Sequence, residues 1–234
     1  MVKFVKKKPG IGSNPSGRSR GKTVRVKTAR GRKSSSTRWL QRQLNDPFVA
    51  EAQRLGYRSR AAFKFIWIDD KFNILKGAKR ILDLGSAPGG WTQIAVKRLH
   101  KGAEVVAIDI LEMEPVQGAT FIQMDFMADD AEQKIFEVIG GPVDLVMSDL
   151  ANYATGHKGT DQLRTMALCE TAADFAIKVL APKGKFVCKV LHGGVDGDLM
   201  ALLKANFRTV RHVKPDATRA ESKEQYLLAT GFKG

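Results

Sequence analysis

The sequence predicts an α/β fold in which a mostly parallel, seven-stranded sheet is covered by helices on both faces. From Lys79 onward, short apolar runs alternate with amphipathic segments of helical length, a pattern typical of parallel sheets that are buried on both sides. Two final apolar runs, at 209–213 and 225–230, lie too close together for a helical crossover. We therefore expect them to form an antiparallel pair at the edge of the sheet.

Three helices are expected before the sheet begins. Ser36 or Thr37 can cap the first helix, which ends near Leu44. Asp46 followed by Pro47 offers an N-cap with proline at the first helical position, so a second helix is expected there. The remaining expected elements are a helix at 61–72, strands at 80–84, 104–109, 119–124, 143–148 and 185–190, and helices at 90–100, 130–139, 160–180 and 196–206.

The positive charge of the chain is concentrated at its N-terminus. Residues 1–45 contain 14 Lys or Arg and no Asp or Glu, whereas the whole chain has a net charge of +15. Residues 1–36 carry few large apolar side chains, so we predict a disordered tail that binds RNA, followed by a single domain over 37–234. A tail that only aids solubility and a targeting segment are the alternatives.

Several classes of protein are disfavoured by composition. No apolar run is long enough to span a membrane, and no secretory signal follows the start. Cys169 and Cys188 form no C-x-x-C pair and are expected to be reduced and buried in a cytoplasmic protein. The four histidines show no metal-ligand spacing, so no metal site is expected.

The most informative motif is the run from Ile81 to Trp91, in which an apolar strand leads into a glycine turn and then a helix. Such a turn directs backbone N–H groups into the crevice at the carboxyl edge of the sheet. Its spacing departs from the dinucleotide-binding G-x-G-x-x-G pattern and resembles the S-adenosylmethionine loop of Rossmann-like methyltransferases. The residues of this run that are expected to bind the cofactor are Asp83, Gly85, Gly89, Gly90 and Trp91.

Two more acidic residues follow the next two predicted strands. Asp109 ends the second strand, where its carboxylate can accept hydrogen bonds from ribose hydroxyls. Asp125 follows the third strand, where it can reach the adenine amino group while Phe126 packs nearby. Any one of these acids alone is better explained as a solvated loop or cap residue. Together with Asp83 they stand at three successive strand ends, which favours a nucleoside-binding site.

Two acidic and two basic residues are expected to meet near the same edge. Lys189 lies in the apolar fifth strand, and because a buried charge is costly unless paired, it should face Asp149 at the end of the fourth strand. Lys64 interrupts an apolar helix, and Glu224 precedes the last strand. A structural cluster of ion pairs is the alternative to a catalytic site.

Over residues 37–232 the chain resembles the FtsJ/RrmJ family of ribosomal RNA 2′-O-methyltransferases. The motifs that carry the resemblance are 36–40, 58–64, the glycine loop, 148–149, Lys189 and 222–226. The resemblance implies a tetrad of Lys64, Asp149, Lys189 and Glu224, with Lys189 as proton acceptor, and cofactor contacts at Gly89, Trp91, Asp109, Asp125 and Asp149. One departure is the segment 150–153, Leu-Ala-Asn-Tyr, which puts the substrate contacts of that loop in doubt.

The resemblance further implies S-adenosylmethionine as cofactor and a ribose, expected to be a uridine, of 23S ribosomal RNA as substrate. The large ribosomal subunit is the expected partner, and the protein is expected to be a monomer. Methylation of transfer RNA or of a messenger cap ribose keeps the cofactor and changes the substrate. A non-catalytic RNA-binding factor for ribosome assembly is the alternative from another class. The sequence leaves the protonation state of Lys189 open.

Overall fold

The computed structural model describes residues 24–26, 34–151, 157–191, 193 and 197–234. Most of the predicted tail, 1–36, and residues 152 and 153 of the departing segment lie outside the described residues. The chain divides into two compact units, Met1–Asp46 and Pro47–Gly234.

The first unit contains helix α1, Ser34–Leu44. Residues 24–26 are tied to the end of this helix, where the Val24 N–H donates to Asn45 Oδ1 at 2.8 Å and the Val26 N–H donates to Gln41 Oε1 at 3.0 Å. The helix begins two residues before the expected cap at Ser36 or Thr37. Residues 34–36 are all serine, so capping preference does not distinguish between them.

The second unit alternates helices with strands in the predicted order. Its elements are α2 (Pro47–Arg54), α3 (Ala61–Phe72), β1 (Arg80–Leu84), α4 (Gly90–Arg98), β2 (Glu104–Asp109), β3 (Thr120–Gln123), α5 (Ala131–Ile139), β4 (Val143–Ser148), α6 (Lys158–Val179), β5 (Leu180–Leu191), α7 (Gly197–Asn206), β6 (Phe207–Val213) and β7 (Glu224–Phe232). None of the described helices has the length and apolar character needed to span a membrane.

The strands form one sheet of seven in the order β3-β2-β1-β4-β5-β7-β6. Strands β1 to β5 pair in parallel, and β7 runs antiparallel to both β5 and β6, so the expected mixed edge is present. Strand β5 begins five residues before the predicted start. Pro182 and Gly184 disfavour a strand by sequence, and the β4–β5 pairing shifts register there between Val143 and Leu145.

The core lies on both faces of the sheet, as predicted. Alternation along β4 places Val146 in one apolar cluster, with helices α5 and α6, and Leu145 and Met147 in the other, with helices α3 and α4. The chain leaves β1 toward β2 on one side and reaches β4 on the other, so the strand order reverses between β1 and β4. A crevice for ligands is expected where the carboxyl ends of these two strands diverge.

Candidate active site

The glycine loop leaves β1 in a conformation that only glycine tolerates. Gly85 has a φ of +76°, and a Cβ atom there would lie 2.8 Å from the backbone of Leu150. The N–H groups of Gly85 and Ser86 donate to the carbonyl of Ile108 at 2.8 and 3.0 Å, which anchors the loop to β2. Gly89, at the N-terminus of α4, has a φ of +101°. The two glycines therefore let the loop backbone pass close to neighbouring protein atoms where a side chain would not fit.

Asp109 links this loop to the end of β2. Its Oδ2 accepts a hydrogen bond from the N–H of Ala87 at 2.8 Å, and its Oδ1 accepts one from the N–H of Leu111 at 2.8 Å. The carboxylate is partly exposed, and each oxygen has a further lone pair. It can thus accept the two hydroxyl donors of a ribose while both backbone bonds persist.

Asp125 stands beyond the end of the neighbouring strand β3. It is exposed, and its Oδ1 accepts a hydrogen bond from the N–H of Met127 at 2.9 Å. Because β2 and β3 pair in register from Val106 and Thr120 to Asp109 and Gln123, the two acids lie at the same edge of the sheet. The expected succession of acids at strand ends is present.

Two aromatic residues that were predicted to bind the cofactor have their rings in the core. The indole of Trp91 is buried, packs 4.9 Å from the Phe65 ring, and donates its Nε1–H to the carbonyl of Ala61 at 3.0 Å. The ring of Phe126 is also buried and packs edge-on against Phe175 at 5.7 Å. Cofactor contacts from these two residues stay predictions. Because both rings are buried, such contacts would have to come from the backbone atoms of the two residues.

Asp83 is buried beneath the loop. It has no exposed surface, its Oδ2 accepts a hydrogen bond from the hydroxyl of Thr92 at 2.6 Å, and its Oδ1 has no hydrogen-bond partner among the residues that the structure describes. Burial raises the pKa of Asp83 to about 7; the Thr92 hydrogen bond opposes this shift, and the nearby charges of Asp149 and Asp109 add to it. Its carboxyl group thus supports the loop from below, and a direct contact with the cofactor stays a prediction.

The two lysine–carboxylate pairs lie together at the same edge. Lys189 Nζ is 3.2 Å from Asp149 Oδ1 and donates to the Asp149 carbonyl at 2.7 Å, as expected for a lysine in an apolar strand. Lys64, on α3, forms an ion pair with Glu224 Oε1. The four side chains retain between 10% and 20% exposure, so each is shielded from bulk water but still reachable by a substrate.

Strand topology explains why these residues meet. Asp149 directly follows β4, and its N–H donates to the carbonyl of Leu84 at 3.1 Å, which fixes it against β1. Because β7 runs antiparallel, Glu224 at its start reaches the edge where the parallel strands end. Lys189 is two residues before the end of β5 and completes the group.

Tyr226 joins the two ion pairs, and sequence reasoning did not assign it a role. Its hydroxyl lies 3.1 Å from Asp149 Oδ1 and 3.1 Å from Glu224 Oε1, and the side chain is fully buried. Burial and the two carboxylates hold the pKa of Tyr226 well above its usual value, so the hydroxyl keeps its single proton. The alternation of Glu224 and Tyr226 along β7 places both on one face, which is the signal that could have identified it.

The described residues of the site offer hydrogen-bond donors and acceptors. Among the described residues, no cluster of three or more His, Cys, Asp or Glu side chains could hold a metal ion. Lys189 Nζ donates a hydrogen bond to the Asp149 carbonyl and lies at ion-pair distance from the Asp149 carboxylate. An ordered lysine beside a glycine loop and a ribose-accepting carboxylate is suited to acting on a hydroxyl near a bound nucleoside.

Comparisons with known proteins agree with this geometry. Residues 57–232 match the model of a family described as FtsJ-like methyltransferase. A protein of Paramagnetospirillum magneticum named ribosomal RNA large subunit methyltransferase E is 56% identical over 228 residues, covering 95% of this chain and 93% of that protein. A protein of Xanthobacter autotrophicus with the same name is 58% identical over 214 residues, covering 90% and 84%.

Solved structures show the same architecture. A Plasmodium falciparum protein assigned as a ribosomal RNA methyltransferase superposes with a TM-score of 0.66 at 31% identity, covering 76% of this chain and all of that one. A Streptococcus thermophilus protein assigned as a hemolysin superposes with a TM-score of 0.51 at only 14% identity, covering 76% and 67%. That second similarity concerns the fold alone.

Proposed function

Because this chain belongs to the FtsJ-like methyltransferase family, we propose that it transfers a methyl group from S-adenosylmethionine to a ribose 2′-hydroxyl of 23S ribosomal RNA. The acceptor is a uridine, and the substrate is the large ribosomal subunit during its maturation. The observation that carries this proposal is the pairing of Lys189 with Asp149, and of Lys64 with Glu224, beside the glycine loop. The names of the similar proteins supply the substrate class.

The residues at the crevice fit S-adenosylmethionine. Gly85 and Gly89 adopt positive φ values that let the loop turn sharply after β1, and a loop of this kind can present its backbone N–H groups to a ligand. Gly90 begins α4, whose N-terminus faces the loop. Asp109 would hold the ribose hydroxyls and Asp125 the adenine amino group, with Asp149 at the methionine side. When bound, the cofactor supplies an electrophilic methyl group on a positively charged sulfur.

The chain itself has to position the ribose and remove its hydroxyl proton. We assign the proton transfer to Lys189, whose neutral amine, after release of one of its own protons to solvent, accepts the proton of the ribose hydroxyl. Its Nζ is held by two oxygens of Asp149 and therefore keeps a defined place. Lys64 presents a second positive charge, held by Glu224, that can bind the ribose or an adjacent phosphate. Positioning is a large part of such a reaction, because an aligned hydroxyl loses less entropy on reaching the transition state.

The test is to identify the methylated nucleoside. The protein is incubated with labelled S-adenosylmethionine and one of four RNAs: undermethylated 50S subunits, free 23S RNA, transfer RNA or capped messenger RNA. Digestion and mass spectrometry are expected to show 2′-O-methyluridine from the 50S substrate. A methylated base, or labelled transfer RNA or cap alone, contradicts the proposed substrate. Binding of RNA without any methylation would indicate the non-catalytic assembly factor instead.

For residues 1–36 we propose the role of an RNA-binding arm, supported by 12 basic and no acidic residues in this segment. We further propose that the protein acts as a monomer in the cytoplasm. Size-exclusion chromatography with light scattering tests the first part of that statement, and a mass twice the 25.7 kDa of the chain would contradict it.

A further inference from the structure

We propose that Arg58 is a positioning residue that holds together the two loops of the cofactor site. This inference rests on the proposed use of S-adenosylmethionine. One loop is the glycine loop after β1, and the other is the segment 110–116 after β2. Arg58 belongs to neither loop and precedes helix α3 in the chain.

The guanidinium of Arg58 donates to three backbone carbonyls. Its Nη1 contacts the carbonyl of Pro88 at 3.3 Å and also the carbonyl of Glu114, and its Nη2 contacts the carbonyl of Pro115 at 2.7 Å. Pro88 lies in the glycine loop, whereas Glu114 and Pro115 lie in the loop after β2. One planar, multidentate cation therefore bridges both loops, which a single ammonium group cannot reproduce.

The backbone of Arg58 is also held in place by hydrogen bonds. Its N–H donates to Gln93 Oε1 at 3.2 Å, and Gln93 Nε2 donates to the carbonyl of Gly56 at 2.8 Å. Gln93 lies on α4, directly behind the glycine loop. Arg58 is thus anchored to α4, the helix that follows the glycine loop. Its guanidinium extends from this position to the loop after β2.

The glycine at position 89 accommodates this arrangement. A Cβ atom at Gly89 would lie 2.9 Å from Arg58 Nη1 and 3.0 Å from the sulfur of Met113, which is buried. The Arg58 side chain therefore crosses directly over the loop backbone. A glycine at this position serves the approach of Arg58 as well as the positive φ.

The same two loops are joined a second time by Asp109. Its carboxylate accepts the N–H of Ala87 from the glycine loop and the N–H of Leu111 from the other loop. Arg58 and Asp109 therefore both connect the same two loops by hydrogen bonds. Asp109 is also the proposed hydrogen-bond acceptor for the ribose hydroxyls of the cofactor. Loss of Arg58 would let the loops separate and displace the Asp109 carboxylate from its working position.

Loss of Arg58 is expected to affect the binding of the cofactor and not the proton transfer at Lys189. Lys189, on β5, is held by Asp149, which directly follows β4, and makes none of these contacts. Without Arg58, we expect weaker binding of S-adenosylmethionine, while the rate at saturating cofactor stays close to that of the wild type.

The experiment compares Arg58→Met and Arg58→Lys with the wild type and with Arg54→Met as matched control. Arg54 is an exposed arginine nearby, paired to Glu51 of its own helix. Calorimetry with S-adenosylmethionine and steady-state kinetics are run on the full chain. Both Arg58 variants should raise the Kd and KM for the cofactor about tenfold or more, with kcat and the KM for RNA within about twofold. The control should match the wild type.

Three results separate the possible failures. An unchanged cofactor Kd in both Arg58 variants, or a change confined to the KM for RNA, overturns the positioning role. If Arg58→Met does not fold, Arg58→Lys together with addition of methylguanidinium to Arg58→Ala decides the question. The added cation should restore cofactor affinity to Arg58→Ala but not to Asp109→Ala, and no restoration counts against the proposal. If the wild type itself does not bind S-adenosylmethionine, it is the proposed function that fails.

Discussion

Asp83 makes the stability of this protein depend on pH in a direction opposite to that of an ordinary surface carboxylate. Its pKa is raised to about 7 from the usual 3.8, mainly because the group is completely buried and further because of the nearby charges of Asp149 and Asp109. Between these two pH values the unfolded chain releases the proton whereas the folded chain keeps it. Stability therefore falls as the pH rises from about 4 to 7 and stays low above 7.

The size of the effect follows from the two pKa values. The full difference corresponds to about 4 kcal/mol, at about 1.4 kcal/mol per pKa unit. Between pH 5 and pH 8 the contribution to the free energy of unfolding changes by about 3 kcal/mol. In Asp83→Asn this titration is absent, while the amide oxygen still accepts the hydroxyl of Thr92.

Urea unfolding at pH 5 and pH 8, without cofactor, tests the reasoning. The difference in unfolding free energy between Asp83→Asn and the wild type should shift by about 3 kcal/mol in favour of the variant as the pH rises. Other titrating groups cancel in this difference. Asp129→Asn removes an exposed carboxylate and serves as control, with a difference that stays flat. A flat difference for Asp83→Asn as well would refute the assignment of a buried, protonated carboxyl.

Four further predictions concern the active site and the tail. Lys189→Ala should abolish methyl transfer while the cofactor Kd stays nearly unchanged, and near-normal turnover would remove its proposed role. Asp109→Ala should weaken S-adenosylmethionine binding roughly tenfold to a hundredfold by calorimetry, because a hydrogen bond to a charged group contributes about 1.5–3 kcal/mol. Tyr226→Phe should lower kcat about tenfold with little change in cofactor Kd, because it removes the hydroxyl that joins the two acids of the tetrad. An unchanged kcat would show that the tyrosine contributes only to packing. Deletion of residues 1–36 should weaken RNA binding and leave turnover at saturating RNA little changed. The slope of log affinity against log salt concentration should become shallower by about 0.7–0.9 for each phosphate that the tail no longer neutralises. An unaltered slope would show that the tail is not an RNA-binding arm.

Much of the architecture could be predicted because it depends on local patterns. The bounds of α3, β1, β2 and β4 agree to the residue with those expected from apolar periodicity and from turn residues. The meeting of Lys189 with Asp149 could also be predicted, because a lysine in a buried strand needs a partner and parallel strands end at one edge. The early start of β5 could not, since it runs through a proline and a glycine.

The direction of individual side chains was decided only by tertiary structure. The sequence places Asp83, Trp91 and Phe126 beside the cofactor loop, but a position near a strand end or helix start does not show whether a side chain points to the crevice or to the core. In the fold, all three side chains are buried. Packing against helices from other parts of the chain determines the direction of these side chains, and the periodicity of a single segment does not predict it.

The contacts that complete the site are likewise long-range. Tyr226 meets Asp149 from 77 positions away, and Arg58 reaches Pro88 and Pro115 from 30 and 57 positions away. The sequence by itself determined the kinds of elements, their order and the acidic and basic residues at the strand ends, because these follow from periodicity and charge. Which of those residues share a hydrogen bond depended on strand order and on an antiparallel β7, and these exist only once the chain has folded.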